Sequence, residues 1–323
     1  MFSEKIKQRL EKQHYAPIGN HSAVQICRWA KKSLTDDGFC YKQKFYGIDS
    51  HLCCQMTPSL WCPNKCLHCW RAIEDTTAKK IPGKIDPPKE IIIKSVEAQR
   101  KLIIGFKGNK KINMKKWKEA QNPKHFAISL SGEPMLYKKI GELISELKKQ
   151  NKTSFLVTNG LYPEKLKQLM KRKQLPTQLY ISVNTPNEEL YNKFHRSLMK
   201  NAWKKLNESL ELMSKIKGRT VVRINLVKNL NMDDEMIKDY ARLIQKAKPM
   251  FIEIKAYMSV GFARQRLGYE RMPFHRDIKN FSEKLLKYLK KDGYKFLDEK
   301  TESRVILLGK SKREMKIKFR KMN

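Results

Sequence analysis

The chain is short of acid. Its 323 residues carry 32 Asp and Glu against 69 Lys and Arg, a formal net charge of +37. Lysine enrichment of the thermophile kind brings matching glutamate, and here the glutamate is missing. A single-sign field of this size repels itself unless a polyanion neutralises it. Nucleic acid is the first expected partner and an anionic membrane surface the second. Long apolar runs are missing too. No stretch reaches the roughly 18 uninterrupted apolar residues of a membrane span. The opening "MFSEKIKQRLEKQ" lacks the apolar centre of a signal peptide. The expected address is the cytoplasm, with no membrane partner. Cysteine is absent after residue 69: all seven, at 27, 40, 53, 54, 62, 66 and 69, lie early in the chain. An odd count without an export signal argues against a disulfide framework, and clustered thiols in a reducing compartment read as metal ligands.

What is present is a repeated alternation. Short apolar runs rich in β-branched residues suggest strands at 51–58, 125–132, 153–160, 178–186, 219–227 and 249–261. Helical spacing follows them at 88–106, 137–150, 162–173, 187–217 (one long region), 233–247 and 274–291. Near-continuous apolar strands with helices between them imply a parallel sheet buried on both faces. Six units do not fill an eight-fold barrel. The expected fold is therefore α/β, a partial (β/α)6 TIM-like barrel over 51–294, with function at the carboxyl ends of its strands. A helical N-terminal extension, 1–50, precedes it, and a basic C-terminal extension, 295–323, follows. Polar residues gather at the strand ends, where they can also be helix caps and turn formers. Arg223 and Glu253 lie inside apolar strands, so each needs a partner. The stretch 106–125, "FKGNKKINMKKWKEAQNPKH", is too long for a routine connection.

The segment "LWCPNKCLHCW" (60–70) sets Cys62, Cys66 and Cys69 in a C-x₃-C-x₂-C spacing directly after the first expected strand of the barrel. Structural zinc sites close with four ligands. Three thiolates can instead hold three irons of a [4Fe–4S] cluster and leave the fourth open to a small chelating molecule. Cys27, Cys40 and Cys53 form a second array, twelve residues between each pair. Neighbours on a strand point to opposite faces, so Cys53 shares the lumen face with Gln55 and Thr57 while Cys54 does not. Cys27, Cys40 and Cys53 are either ligands of a second cluster or buried hydrophobic cysteines; Cys54 reads as the latter.

The first triad resembles the signature of the radical S-adenosylmethionine (SAM) enzymes. "SGEP" (131–134) looks like that family's Gly-Gly-Glu segment, with Ser131 in place of the first glycine. The resemblance implies SAM contacts at Ser131, Gly132 and Glu133, at His68 beside the third cysteine, and at Thr158, Asn159, Ser182, Asn184 and Asn225. "CYKQKFYGIDSHLC" (40–53) and "TPSLWCPNKCLHCWR" (57–71) resemble in particular the archaeal tRNA 4-demethylwyosine synthases of the wybutosine pathway. That likeness implies two [4Fe–4S] clusters, on Cys62, Cys66, Cys69 and on Cys27, Cys40, Cys53. It implies tRNA-Phe bearing N1-methylguanosine as substrate, pyruvate as co-substrate, and 4-demethylwyosine as product. Lys42 is the implied catalytic amine, holding pyruvate as an imine or pairing its carboxylate; Lys44 competes with it on an extended segment. Larger relatives carry a flavodoxin-like domain, so a separate one-electron reductant of flavodoxin or ferredoxin type is expected, and the chain is expected to be a monomer. Lys110, Lys111, Lys115, Lys116 and Trp117 are candidate RNA contacts, as is "RSLMKNAWKK" (196–205) with Trp203. Two alternatives remain: another radical SAM modifier of tRNA, transferring methyl or methylthio groups, and a non-catalytic zinc protein that binds RNA.

Overall fold

The computed structural model describes residues 2–318. One ten-stranded sheet runs through it. Six strands form its parallel centre: β3 (Cys53–Thr57), β4 (His125–Ile128), β5 (Thr153–Thr158), β6 (Gln178–Ser182), β7 (Arg219–Leu226) and β8 (Phe251–Ala256), paired in that order. The sheet does not close on itself, since its order starts at β1 (Ala16–Ile18) and β2 (Ser22–Gln25) and ends at β10 (Val305–Gly309) and β9 (Lys295–Lys300). This is the expected open (β/α)6 barrel. No helix among the described residues is long and apolar enough to cross a membrane.

Alternation along the strands builds two layers. Outward residues such as Cys54, Phe126, Leu156, Ile181, Val222 and Ile254 are fully buried beneath the helices in the main apolar cluster. Each such side chain contributes roughly 1.5–3 kcal/mol by leaving water. The lumen holds a second cluster. There Phe155, Tyr180, Val221 and Phe251 pack against Tyr41, Phe45 and Tyr46 of the short helix Tyr41–Tyr46.

Three expectations change. The first fifty residues are not helical alone: β1 and β2 form an antiparallel hairpin that extends the sheet beside β3. Nor does this segment merely precede the barrel, because helix Tyr41–Tyr46 fills its lumen. The region 187–217 is two helices, Glu188–His195 and Ala202–Met213, broken where Arg196 and Asn201 adopt left-handed backbone. The C-terminal extension is a hairpin, β9 with β10, that continues the sheet from β8. Beyond it, Ile317 N–H donates to Tyr46 O at 3.0 Å and Arg219 donates to the carbonyls of Glu314 and Met315 at 2.6 and 2.8 Å. Residues 314–317 thus brace the helix in the lumen. The last five residues of the expected basic tail lie outside the described residues.

Candidate active site

The carboxyl ends of the strands open into a cavity of about 320 Å³. Cys62, Cys66 and Cys69 line it, and so do all nine residues expected to contact SAM: His68, Ser131, Gly132, Glu133, Thr158, Asn159, Ser182, Asn184 and Asn225. The cysteine loop is held from several directions. Cys62 exchanges backbone hydrogen bonds with Thr76 and Ala78 at 3.1 Å. Lys65 and Leu67 donate to the carbonyls of His195 and Phe194 at 2.9 and 3.0 Å, so the break after His195 is where the loop docks. Buried Arg71 donates to Thr76 O at 2.9 Å and to Asn64 O, which sets a cation beneath the thiols.

Gly132 explains why the 131–134 segment approaches so closely. Its φ is +74°, and a Cβ there would lie 2.0 Å from Ser59 O. Glu133 follows, fully buried, accepting from Thr158 Oγ1 at 2.7 Å, Asn159 N at 2.8 Å and Met135 N at 2.9 Å. Burial pushes its pKa up, and those donors oppose the rise. Part of the polar set also builds the loops. Asn159 Oδ1 accepts from Leu161 N at 3.1 Å, and Asn184 Oδ1 from Asn225 N at 3.1 Å. His195 was invisible in the sequence. Its Nδ1 lies 3.0 Å from Cys66 Sγ although 129 positions separate them. Burial holds His195 and His68 neutral, near 3 and 4.

The donor set fits a thiolate-bound cluster with a chelating partner. Burial pushes Cys62 up to about 11 and Cys66 well above the usual thiol range, so these thiols need a cation to ionise. His68 Nδ1 is buried on the cavity wall with no hydrogen-bond partner among the described residues. Among those residues no three His, Cys, Asp or Glu side chains gather on one ion. A polynuclear cluster spreads its ligands over several irons and does not need such a gathering.

The second triad lies deeper, around the lumen helix. Cys27 caps helix Arg28–Leu34 and Cys40 caps helix Tyr41–Tyr46, their Sγ atoms accepting from Ala30 N at 3.3 Å and Lys42 N at 3.5 Å. Burial, then the charge of neighbouring Cys27, pushes Cys40 to about 11 and Cys53 to about 12; Lys42 opposes both shifts. The three thiols are therefore within electrostatic reach of one another and of Lys42. Lys42 itself is buried, Nζ 5.0 Å from the Phe155 ring centre and 5.4 Å from that of Tyr180. Val157 and Ser182, two residues further along the same strands, line the cavity. Lys42 thus sits one layer, about 7 Å of strand, beneath its floor.

Burial, then the charge of Arg223, lowers the Lys42 pKa. Arg223 and Glu253 prove to be each other's partner. They are adjacent in register on β7 and β8, with Nε and Nη2 at 3.0 and 2.8 Å from Oε2. Tyr41 and Tyr46 hydroxyls complete the carboxylate's shell at 3.1 and 2.7 Å. Lys44 does not share Lys42's face, because the segment is helical and not extended. It is exposed, donating to Glu299 O at 2.6 Å and pairing with Asp298 at 2.9 Å.

Of the candidate RNA contacts, those in 106–125 lie toward the start of β3, whereas 196–205 docks on the cysteine loop, Leu198 N donating to Pro63 O at 2.9 Å and Arg196 Nη2 to Lys65 O at 2.7 Å. Helix Met114–Ala120 packs near the strand's start. Lys110, Lys111 and Lys115 are exposed, whereas Lys116 pairs with Asp36. Trp117 packs with Ile26 and Ala30 and donates to Ile103 O at 3.0 Å. Trp203 packs on Tyr191 at 5.6 Å. The exposed apolar side chains at the cavity are instead Trp70, Met258 and Val260, which the sequence did not single out.

The chain matches the Radical SAM superfamily over residues 56–241 and the Wyosine base formation family over 246–310. It is 50% identical over 306 residues to the S-adenosyl-L-methionine-dependent tRNA 4-demethylwyosine synthase of Pyrococcus abyssi, covering 94% of this chain and 88% of that one. The chain belongs to the tRNA 4-demethylwyosine synthase family. Two solved structures agree. A TYW1 with a lysine–pyruvate adduct bound is 35% identical, with a TM-score of 0.83 over 98% of both chains. An archaeal TYW1 is 33% identical, with a TM-score of 0.76 over 98% of this chain and 99% of that one. Membership of the radical SAM superfamily implies SAM and a [4Fe–4S] cluster, and the family's wyosine segment supplies the β8 wall of the cavity.

Proposed function

We propose that this chain joins N1-methylguanosine of tRNA-Phe to carbons of pyruvate, forming 4-demethylwyosine. The observation that carries the reading is Lys42, a buried amine whose pKa is lowered by burial and by Arg223. A lowered pKa raises the share of free amine, the form that condenses with a ketone. Lys42 Nζ attacks the carbonyl carbon of pyruvate, water leaves, and an imine remains. The lysine–pyruvate adduct of a 35% identical relative supports this assignment.

Cys62, Cys66 and Cys69 would hold a [4Fe–4S] cluster, and His68, Ser131, Gly132, Glu133, Thr158, Asn159, Ser182, Asn184 and Asn225 would cradle SAM beside it. When bound, cluster and SAM together supply a carbon-centred radical that abstracts hydrogen. Cys27, Cys40 and Cys53 hold a second [4Fe–4S] cluster beside Lys42. Lys110, Lys111 and Lys115 meet tRNA phosphates, with Lys116 held by Asp36 and Trp117 anchoring helix Met114–Ala120, and the exposed rim of Trp70, Met258 and Val260 receives the target base. The enzyme acts as a cytoplasmic monomer with an external one-electron reductant of flavodoxin or ferredoxin type.

Borohydride reduction in labelled pyruvate tests the core of this reading. Label should appear on the peptide carrying Lys42 and be absent from Lys42→Ala. An active enzyme that never takes label would point to chelation of pyruvate by the second cluster.

A further inference from the structure

Lys255 is a cation with no ion-pair partner among the described residues. It follows Glu253 by two residues on β8, so both face the lumen, and it stands in register with Asn225 of β7. It lines the cavity, with Nζ 4.2 Å from the ring centre of Tyr41. Among the described residues its ammonium makes no ion pair or hydrogen bond. The nearest acid, Glu253, is already saturated by Arg223, Tyr41 and Tyr46. Arg223 is occupied by Glu253, and Arg71 by Thr76 and Asn64. Burial and Arg223 push the Lys255 pKa down to about 8, so the group is still mostly charged at neutral pH. A desolvated, unpaired ammonium is unfavourable unless an anion arrives to pair with it. Lys255 also stands between two compartments. It lines the cavity above, and its charge reaches Cys40 and Lys42 on the deeper side.

Resting on the reading of Lys42 as the imine-forming amine, we propose that Lys255 binds the carboxylate of the 2-oxo acid that condenses with Lys42. Held at both ends, the acid cannot rotate, and its methyl group is fixed for hydrogen abstraction. SAM also carries a carboxylate, so the test separates the two sources.

Holoenzyme is reduced with borohydride over a range of pyruvate concentrations, and in parallel with acetone, a ketone without a carboxylate. In Lys255→Gln the half-saturating pyruvate concentration should rise at least tenfold. Acetone trapping on Lys42 and the SAM dissociation constant should stay within twofold of wild type. Lys255→Arg should recover most of the pyruvate affinity. Unchanged pyruvate half-saturation in Lys255→Gln overturns the proposal, as does weakened SAM binding with normal pyruvate trapping. If wild type takes no label on Lys42, it is the imine reading that fails. Lys255→Met serves as the neutral variant should the glutamine form not fold, judged by acetone trapping.

Discussion

Replacing Arg223 with Met should expose how the lumen wall is held. Glu253 is fully buried, and its pKa reflects a contest: burial pushes it up, while the charges of Arg223, Lys255 and Lys42 hold it below the usual carboxylate range. Arg223→Met removes two charge-assisted hydrogen bonds and the principal compensating charge. Breaking a buried pair from one side costs about 3–5 kcal/mol. Two tyrosine hydroxyls remain on the carboxylate, so we expect about 3 kcal/mol at pH 8. The pH dependence is diagnostic. In wild type the depressed Glu253 pKa contributes stability above the unfolded value, and that contribution fades as pH falls through the folded pKa. In Arg223→Met burial prevails and the pKa rises, so the variant loses stability as pH climbs past about 4.3. The two proteins should therefore converge toward pH 5. Urea unfolding by tryptophan fluorescence from pH 5 to 8 reads this directly, and adding Glu253→Gln should restore part of the loss. A deficit under about 1 kcal/mol at pH 8, or one that ignores pH, would mean that Arg223 is not what compensates the buried Glu253 carboxylate.

Gly132→Ala forces a Cβ to within 2.0 Å of Ser59 O at φ +74°; strain of about 1–3 kcal/mol and at least tenfold weaker SAM binding should follow, by thermal melting and equilibrium dialysis. Lys44→Ala breaks a surface pair with Asp298 and a hydrogen bond to Glu299 O, so it should cost about 1 kcal/mol and leave pyruvate trapping intact, by the borohydride assay. Cys27→Ala should lower bound iron by one cluster's worth while uncoupled SAM cleavage persists, by anaerobic iron analysis and product chromatography. Neutralising Lys110, Lys111 and Lys115 should flatten the salt dependence of tRNA binding by up to about 0.9 for each phosphate left without its lysine, whereas Lys116, paired with Asp36, should add little.

The central six strands were legible because each is a near-continuous apolar run buried on both faces. The edge hairpins were not. β1 is only three residues with a proline at its centre, and β9, Lys295–Lys300, reads as charged surface, since an edge strand needs little apolar character. The need of Arg223 and Glu253 for partners could be read from burial alone, but their pairing required the β7–β8 register. The cysteine spacing identified the cavity, whereas His195 carried no local signal: it reaches Cys66 only because the chain breaks its helix after residue 195 and docks against the cysteine loop. On an extended segment Lys44 would share the face of Lys42, and only the resemblance favoured Lys42. Helical geometry separates them, one into the lumen and one to the surface.

The most direct test of the account is the reaction itself. Anaerobically reconstituted protein is given SAM, a one-electron reductant, isotope-labelled pyruvate and tRNA-Phe carrying N1-methylguanosine, and the nucleosides are analysed by mass spectrometry. Labelled 4-demethylwyosine should form, and be lost in the Cys62→Ala and Lys42→Ala variants. Labelled product from Lys42→Ala, or SAM cleavage by wild type with the guanosine left unchanged, would contradict the proposed function.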